Sequence, residues 1–207
     1  MISAVLLAAG KSERMGRFKQ LLPLGRKTFV ECCVDNLLAS GLDEVIVVTG
    51  HNEEAVRSVL AGRPVQFAYN VDYGLGMASS IVRGFRSVSA SNDAVMIALA
   101  DQPLITPEAI KQLIRAYQRS SPLITIPRYL GRTGHPIIIA KRLASEIESM
   151  DLQVGLRQVI AANISKVHYV EVDEEGILLD FDYPEEYRQI ENLDQPSRRG
   201  KNVPKNK

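Results

Sequence analysis

The sequence predicts an α/β fold in which a mostly parallel sheet lies between layers of helices, and three observations lead there. Residues 2–9, 44–49 and 94–100 are almost continuously apolar, as strands buried on both faces of a parallel sheet must be. Between them lie segments with the apolar spacing of amphipathic helices, and the strand–helix alternation repeats. Such units cross over right-handed, so helices cover the sheet and ligands sit beyond the carboxyl ends of the strands. The segments richest in polar chemistry fall at such ends: after residue 9, after residue 69, and at Asp101.

Taken in order, strand 2–9 runs into a long basic loop. Segment 28–40 carries Val30, Cys33, Val34, Leu37 and Leu38 on one face, with Thr28 placed to cap its start and Gly41 past its end. Strand 44–49, helix 52–61 stopped by Gly62, and short strand 65–69 follow. Residues 70–77 (N-V-D-Y-G-L-G-M) form a glycine-bearing loop before a helix over 78–88. Strand 94–100, A-V-M-I-A-L-A, stops at Asp101, and helix 107–120 opens on a proline suited to a first turn. The second half is less regular. It reads as strand 123–127, polar loop 129–135, strand 136–140, helices 141–150 and 155–163, strand 166–172 and helix 184–193. One domain over 1–193 is expected, followed at 194–207 by a basic tail with almost nothing to bury, hence disordered.

With 25 Lys and Arg against 24 Asp and Glu, the net charge of +1 offers no general attraction to nucleic acid or a membrane. No apolar run is long enough to span a bilayer and the N-terminus has no secretory pattern, so a cytoplasmic location is expected. Cys32 and Cys33 are neighbours within a predicted helix, where a mutual bridge would be badly strained; they read as small core residues. There is no His/Cys cluster of the zinc-binding kind.

The chain is organised around residues 5–27, V-L-L-A-A-G-K-S-E-R-M-G-R-F-K-Q-L-L-P-L-G-R-K. A strand ending in such a turn leaves backbone N–H groups free for phosphate oxygens, with Lys11, Arg14, Arg17, Lys19, Arg26 and Lys27 to neutralise them. The glycine spacing is neither G-x-x-x-x-G-K-[ST] nor G-x-G-x-x-G. At the far side, Asp101 at a strand tip either caps the next turn or holds a hard cation such as Mg²⁺. Asp180 and Asp182, two apart in an extended stretch, face one side.

The pattern L-A-A-G-x-x-x-R-M-G-x-x-K-x-L-L-P-L resembles the signature of the NTP-transferase (MobA-like) family of nucleotidyltransferases, especially its molybdenum cofactor cytidylyltransferase branch. The purine-catabolism proteins associated with xanthine dehydrogenase maturation look very similar. The resemblance implies a Rossmann-like three-layer sandwich of the nucleotide-diphospho-sugar transferase kind. It implies that Arg14 and Lys19 neutralise the triphosphate and the departing pyrophosphate. Asp101, in D-Q-P-L-I, and Asp182, in L-D-F-D-Y-P-E-E-Y, would hold Mg²⁺, although Tyr183 stands where the family resembles D-T-P. Leu7, Ala8, Ala9 and Gly10 would carry nucleotide choice, with Asn70 as a further base contact. Guanylyl members resemble L-A-G-G, so the Ala9 methyl suits a pyrimidine.

Gly76, Ser79 and Ser80, in Y-G-L-G-M-A-S-S-I, and His135, in G-H-P, match elements near the acceptor in that branch. Helix capping by the serines and a structural histidine are the competing accounts. The implied activity is CMP transfer from CTP to the molybdopterin cofactor with release of pyrophosphate, the product going to a molybdoenzyme such as xanthine dehydrogenase. An NTP transferase with another phosphorylated acceptor, or a non-catalytic carrier of the cofactor, are the alternatives.

Overall fold

The structure, a computed structural model, describes residues 1–191 apart from the side chains of Arg14, Gln189 and Glu191. The expected tail at 194–207 and the last two positions of the closing helix lie outside the described residues. In chain order the elements are β1 (Ile2–Leu7), β2 (Pro23–Leu24), β3 (Lys27–Thr28), α1 (Phe29–Leu38), β4 (Glu44–Thr49), α2 (Glu53–Val59) and β5 (Gln66–Tyr69). Then come α3 (Met77–Ser87), β6 (Ala94–Leu99), α4 (Pro107–Ser120), β7 (Ile124–Tyr129), β8 (Arg132–Thr133) and β9 (Ile137–Ala140). The chain closes with α5 (Ala144–Ser149), α6 (Leu156–Ala162), β10 (Val167–Glu171) and α7 (Pro184–Glu191). Among the described residues, no helix is long and apolar enough to cross a membrane.

The main sheet runs β10-β7-β9-β6-β1-β4-β5, with β8 paired to β7. Along that path only β9 is antiparallel to its neighbours, so the sheet is mostly parallel as the sequence predicts. Alternation within each strand divides the core into two. Ile2, Ala4 and Leu6 of β1 meet α1, α2 and α4 on one face; Val5 meets α3, α5 and α6 on the other. Each fully buried Val, Leu or Ile contributes roughly 1.5 to 3 kcal/mol of transfer free energy. That explains why the central strands read as unbroken apolar runs.

A third, smaller cluster sits outside these layers. Met15 and Leu22 of the basic loop and Phe29 of α1 pack with Phe181 and with Tyr187 and Ile190 of α7. The Phe29 ring meets Phe181 and Tyr187 edge-on at centroid distances of 5.4 and 5.8 Å, and Tyr187 Oη donates to Pro23 O at 2.9 Å. This cluster ties the first loop to the last helix.

Several boundaries differ from the sequence reading for identifiable reasons. β1 ends at Leu7, two residues early, although Ala8 N–H still donates to Val48 O at 2.9 Å. The basic loop contains two short 3-10 turns, Glu13–Met15 and Lys19–Leu21, and the β2–β3 ribbon. Helix α1 starts where expected: the Glu31 carboxylate accepts from the Thr28 N–H at 2.7 Å and from its hydroxyl at 2.8 Å. The expected loop at 129–135 is instead the turn of a hairpin, because Leu130 and Gly131 both take positive φ (47° and 80°) and let β8 fold back on β7. Leucine at the first of these positions hides the signal.

Candidate active site

The first loop is knitted from within. Ser12 has φ 58°; its Oγ accepts from the Lys19 N–H and donates to Gln20 Oε1, both at 3.1 Å. The buried Gln20 amide in turn donates to Gly10 O at 3.2 Å and Ala8 O at 3.5 Å. These bonds aim Lys19 across the carboxyl edge of the sheet, where its Nζ lies 2.7 Å from Asp101 Oδ2 and 2.6 Å from Asp182 Oδ1. Burial alone would lower the Lys19 pKa, but Asp101 and Asp182 outweigh it and hold the ammonium above its ordinary range. Lys19 is therefore a firm positive charge.

Asp182 is placed by the start of α7. Glu186 reaches back, its Oε2 accepting from the N–H groups of Asp182 at 2.7 Å and Tyr183 at 2.9 Å. That carboxylate supplies the half of a capping box in which the N3 side chain accepts from the N-cap N–H, and α7 starts at Pro184 with Tyr183 in place. Burial raises the pKa of the neighbouring Asp180, and the nearby charges of Asp101, Asp182 and Glu186 add to the rise.

These groups border a cleft of about 410 Å³. Leu7, Ala9, Gly10, Lys19, Gly76, Ser80, Asp101 and Asp182, all singled out from sequence, line it; so do Ser12, Gln20, Tyr73 and Met77, which were not. Four other predicted residues stand elsewhere. Ala8 is buried behind the wall. Asn70 is only 3% exposed; its amide donates to Ser79 Oγ at 2.9 Å and Ser80 Oγ at 3.0 Å, and its Oδ1 accepts from the Asp72 N–H at 3.0 Å. Ser79 Oγ donates to the carbonyls of Asp72 and Gly76. Asn70 and Ser79 thus clasp the 70–76 loop rather than face the cleft. His135 feels the charge of Asp101 but lies outside the lining, and the side chain of Arg14 lies outside the described residues.

A divalent cation fits this donor set. Two carboxylates already converge on one positive charge at the rim of a polar cleft, and Mg²⁺ takes one or two carboxylates together with substrate phosphates. Among the described residues no three His, Cys, Asp or Glu side chains group to cage a metal unaided. The remaining ligands would come from the substrate and water.

His135 is restrained by its backbone N–H, which donates to Ile177 O at 3.1 Å. Burial depresses its pKa, with Asp101 opposing in part. The unfolded chain therefore binds the His135 proton more readily, and stability falls as pH drops below about 6.5, the unperturbed histidine value. His135→Asn should accordingly show a smaller loss of Tm between pH 7 and pH 5.5 than the parent, measured by thermal melts across that range. Parallel losses in the two proteins would remove His135 as the source.

The arrangement has relatives. A model of the MobA-like NTP transferase domain matches residues 4–168. The chain belongs to that family. Asp182 lies beyond the matched span, whereas Lys19 and Asp101 fall within it. Nicotine blue oxidoreductase of Paenarthrobacter nicotinovorans is 32% identical over 79% of this chain and 76% of its own length. Purine catabolism protein PucB of Bacillus subtilis is 29% identical over 90% and 94%, and molybdenum cofactor cytidylyltransferase of Escherichia coli 24% over 90% and 93%. Among solved structures, a nucleotidyl transferase from Methanothermobacter superposes with a TM-score of 0.81 at 26% identity, covering 94% of this chain and 97% of that one. A Mycobacterium tuberculosis protein solved in complex with manganese superposes at 0.77 and 24%, covering 91% and 97%. The nucleotide-diphospho-sugar transferase fold expected from the sequence is the fold found.

Proposed function

We propose that this MobA-like family member transfers CMP from CTP to the phosphate of the molybdopterin cofactor, releasing pyrophosphate, and that the product passes to a molybdoenzyme such as xanthine dehydrogenase. The observation that carries the reading is the Lys19 ammonium held between Asp101 and Asp182 at the rim of the cleft. A carrier of the cofactor has no need of a lysine and two carboxylates at one point; a triphosphate-cleaving enzyme does. The E. coli relative's name supports the choice of donor and acceptor.

In this reading an oxygen of the acceptor phosphate attacks the α-phosphorus of CTP. A new P–O bond forms there, the bond from the α-phosphorus to the bridging oxygen breaks, and pyrophosphate leaves with the electron pair. Such displacements are mostly positioning and charge stabilisation. Mg²⁺ bound by Asp101 and Asp182 would supply the positive charge that draws the nucleotide phosphates together. Lys19, whose Nζ stands within 2.7 Å of both carboxylates, would serve as the cationic partner of the phosphates. Arg14, on the same loop, is assigned the neighbouring phosphate, and Ser80 and Gly76 the acceptor side.

Pyrophosphate release by purified protein with Mg²⁺ and CTP, with and without molybdopterin, is the test. Release that requires molybdopterin supports the reading; release with a sugar phosphate instead identifies another acceptor. Tight pterin binding without release identifies a carrier. Oxidoreductase activity on nicotine blue would align the chain with its Paenarthrobacter relative instead.

Donor choice is expected to be read in part at Ala9, which lines the cleft at 4% exposure. One methyl group in a pocket is worth roughly 1 to 3 kcal/mol, about tenfold to two-hundredfold in kcat/KM. Ala9→Gly should therefore admit some GTP without making a good guanylyltransferase, as the CTP to GTP ratio of kcat/KM measures. An unmoved ratio, or a parent that already prefers GTP, removes Ala9 from that role.

A further inference from the structure

The two ends of the cleft differ in chemistry. Lys19, Asp101 and Asp182 gather at one end, while Ala9, Tyr73, Gly74 and Met77 bound the other; Lys11 and Glu13 of the first loop also line the cleft. Asp101 follows β6, Ala9 follows β1, Gly50 follows β4 and the Tyr73 loop follows β5, so the Lys19–Asp101–Asp182 group and the Tyr73 loop are separated along the carboxyl edge of the sheet. Two strand spacings, about 10 Å, separate the Asp101 and Gly50 positions along that edge. The phosphate chain and ribose of a nucleoside triphosphate together reach that far to its base.

Gly50 is required for space. Its φ is not left-handed, yet a Cβ there would lie 2.7 Å from Tyr73 Cβ, 2.8 Å from Tyr73 Cγ and 2.9 Å from the Ala9 methyl. Tyr73 and Ala9 therefore rest on the same bare Cα. From the side, the His51 ring stands 6.2 Å from the Tyr73 ring and is itself met edge-on by Phe18 at 5.9 Å. The loop beneath is closed by the Asn70 and Ser79 bonds described above, and by Gly76 N–H donating to Tyr73 O at 3.2 Å. Tyr73 is thus half-buried, its Cβ and Cγ against Gly50 and its ring beside His51, and it lines the cleft.

We propose that Tyr73, seated on Gly50, is a specificity-determining residue whose ring forms the wall that limits the size of the donor nucleotide's base, with Ala9 as part of the same wall. The proposal rests on the reading of the cleft as a CTP site. Stacking on an aromatic face tolerates any base, so the ring alone does not choose. Its position chooses, and Gly50 sets that position. Asn70 and Ser79 act through the loop as positioning residues.

Equilibrium dissociation constants for CTP and GTP with Mg²⁺, measured by titration calorimetry without acceptor, test this on the parent, Tyr73→Ala and Tyr73→Phe. The parent is expected to prefer CTP. Tyr73→Ala should weaken CTP about tenfold and lower the CTP-over-GTP preference by about tenfold. Tyr73→Phe, which keeps the wall, should hold that preference within about twofold of the parent. Tyr73→Val keeps a carbon branch against Gly50 but shortens the wall; it should follow the alanine variant and replaces it if that variant does not fold. An alanine or valine variant that keeps the parental preference overturns the proposal, as does a parent that prefers GTP or binds neither nucleotide. Loss of molybdopterin binding with CTP binding intact would also overturn it, by giving the ring to the acceptor. Because turnover is not read, a protein that discriminates through Tyr73 yet releases no pyrophosphate keeps this inference and loses the transfer reading.

Discussion

Asp101→Ala is expected to lower kcat for pyrophosphate release about a thousandfold or more, while the protein stays folded. Removing one preorganised electrostatic group from a reacting centre costs a hundredfold to a thousandfold, and here the group would also hold the metal. The fold should survive because Asp101 caps no helix of the core, and Lys19 retains Asp182 at 2.6 Å as its counter-charge. Turnover over a range of Mg²⁺ concentrations, with Tm as the control for folding, gives the answer. Near-normal turnover at saturating Mg²⁺ would take the ligand role from Asp101. Asp182→Ala should act in the same direction but more gently, as a raised Mg²⁺ requirement.

The second large effect is expected at Gly134, for stability rather than chemistry. A Cβ at Gly134 would lie 2.1 Å from Ile177 O and 2.8 Å from its carbonyl carbon, both backbone atoms. Gly134 N–H also donates to Pro127 O and His135 N–H to Ile177 O, each at 3.1 Å, so the two strands of chain are bonded where the collision would occur. Gly134→Ala must therefore push residues 175–178 off β7 and β8. A loss of about 3 kcal/mol or more is expected, or about 6 to 12 °C in Tm for a chain of this size. Turnover should fall too, because the displaced segment leads directly into Asp180 and Asp182. A melt within about 2 °C of the parent would show that the segment yields without cost.

These two cases show what sequence can and cannot carry. The place of Asp101 is legible because a buried parallel strand that stops at an acid puts that acid at the carboxyl edge of the sheet, and β6 leads to it there on the wall of the cleft. The central strands and the cap at Thr28 were legible for similar local reasons. Gly134 was noticed only as part of G-H-P; the contact that demands glycine comes from Ile177, far away in sequence. Gly50 was not noticed at all, since its neighbours Ala9 and Tyr73 meet only once β1, β4 and β5 lie side by side. Asn70 and Ser79 illustrate the converse. Their polar side chains in a glycine-bearing loop look like ligand contacts, and only the three-dimensional bonds reveal that they are spent on each other. The antiparallel run of β9 was likewise invisible, because direction within a sheet is set by connections and not by composition.

The aromatic cluster that joins the basic loop to α7 has a consequence for the order of synthesis. Lys19 leaves the ribosome early and Asp182 late, and the partners that fix the first loop, Phe181, Tyr187 and Ile190, come later than every strand of the sheet. A nascent chain arrested after β10 holds all the strands of the sheet and the layers of helices on it, yet its Lys19 has one carboxylate, and Met15, Leu22 and Phe29 lack Phe181, Tyr187 and Ile190. Domain cores can form during elongation, but this site cannot close until the last helix emerges. The sheet and its helices thus precede the proposed site in synthesis, and that site is assembled only once Asp182 and α7 have followed β10.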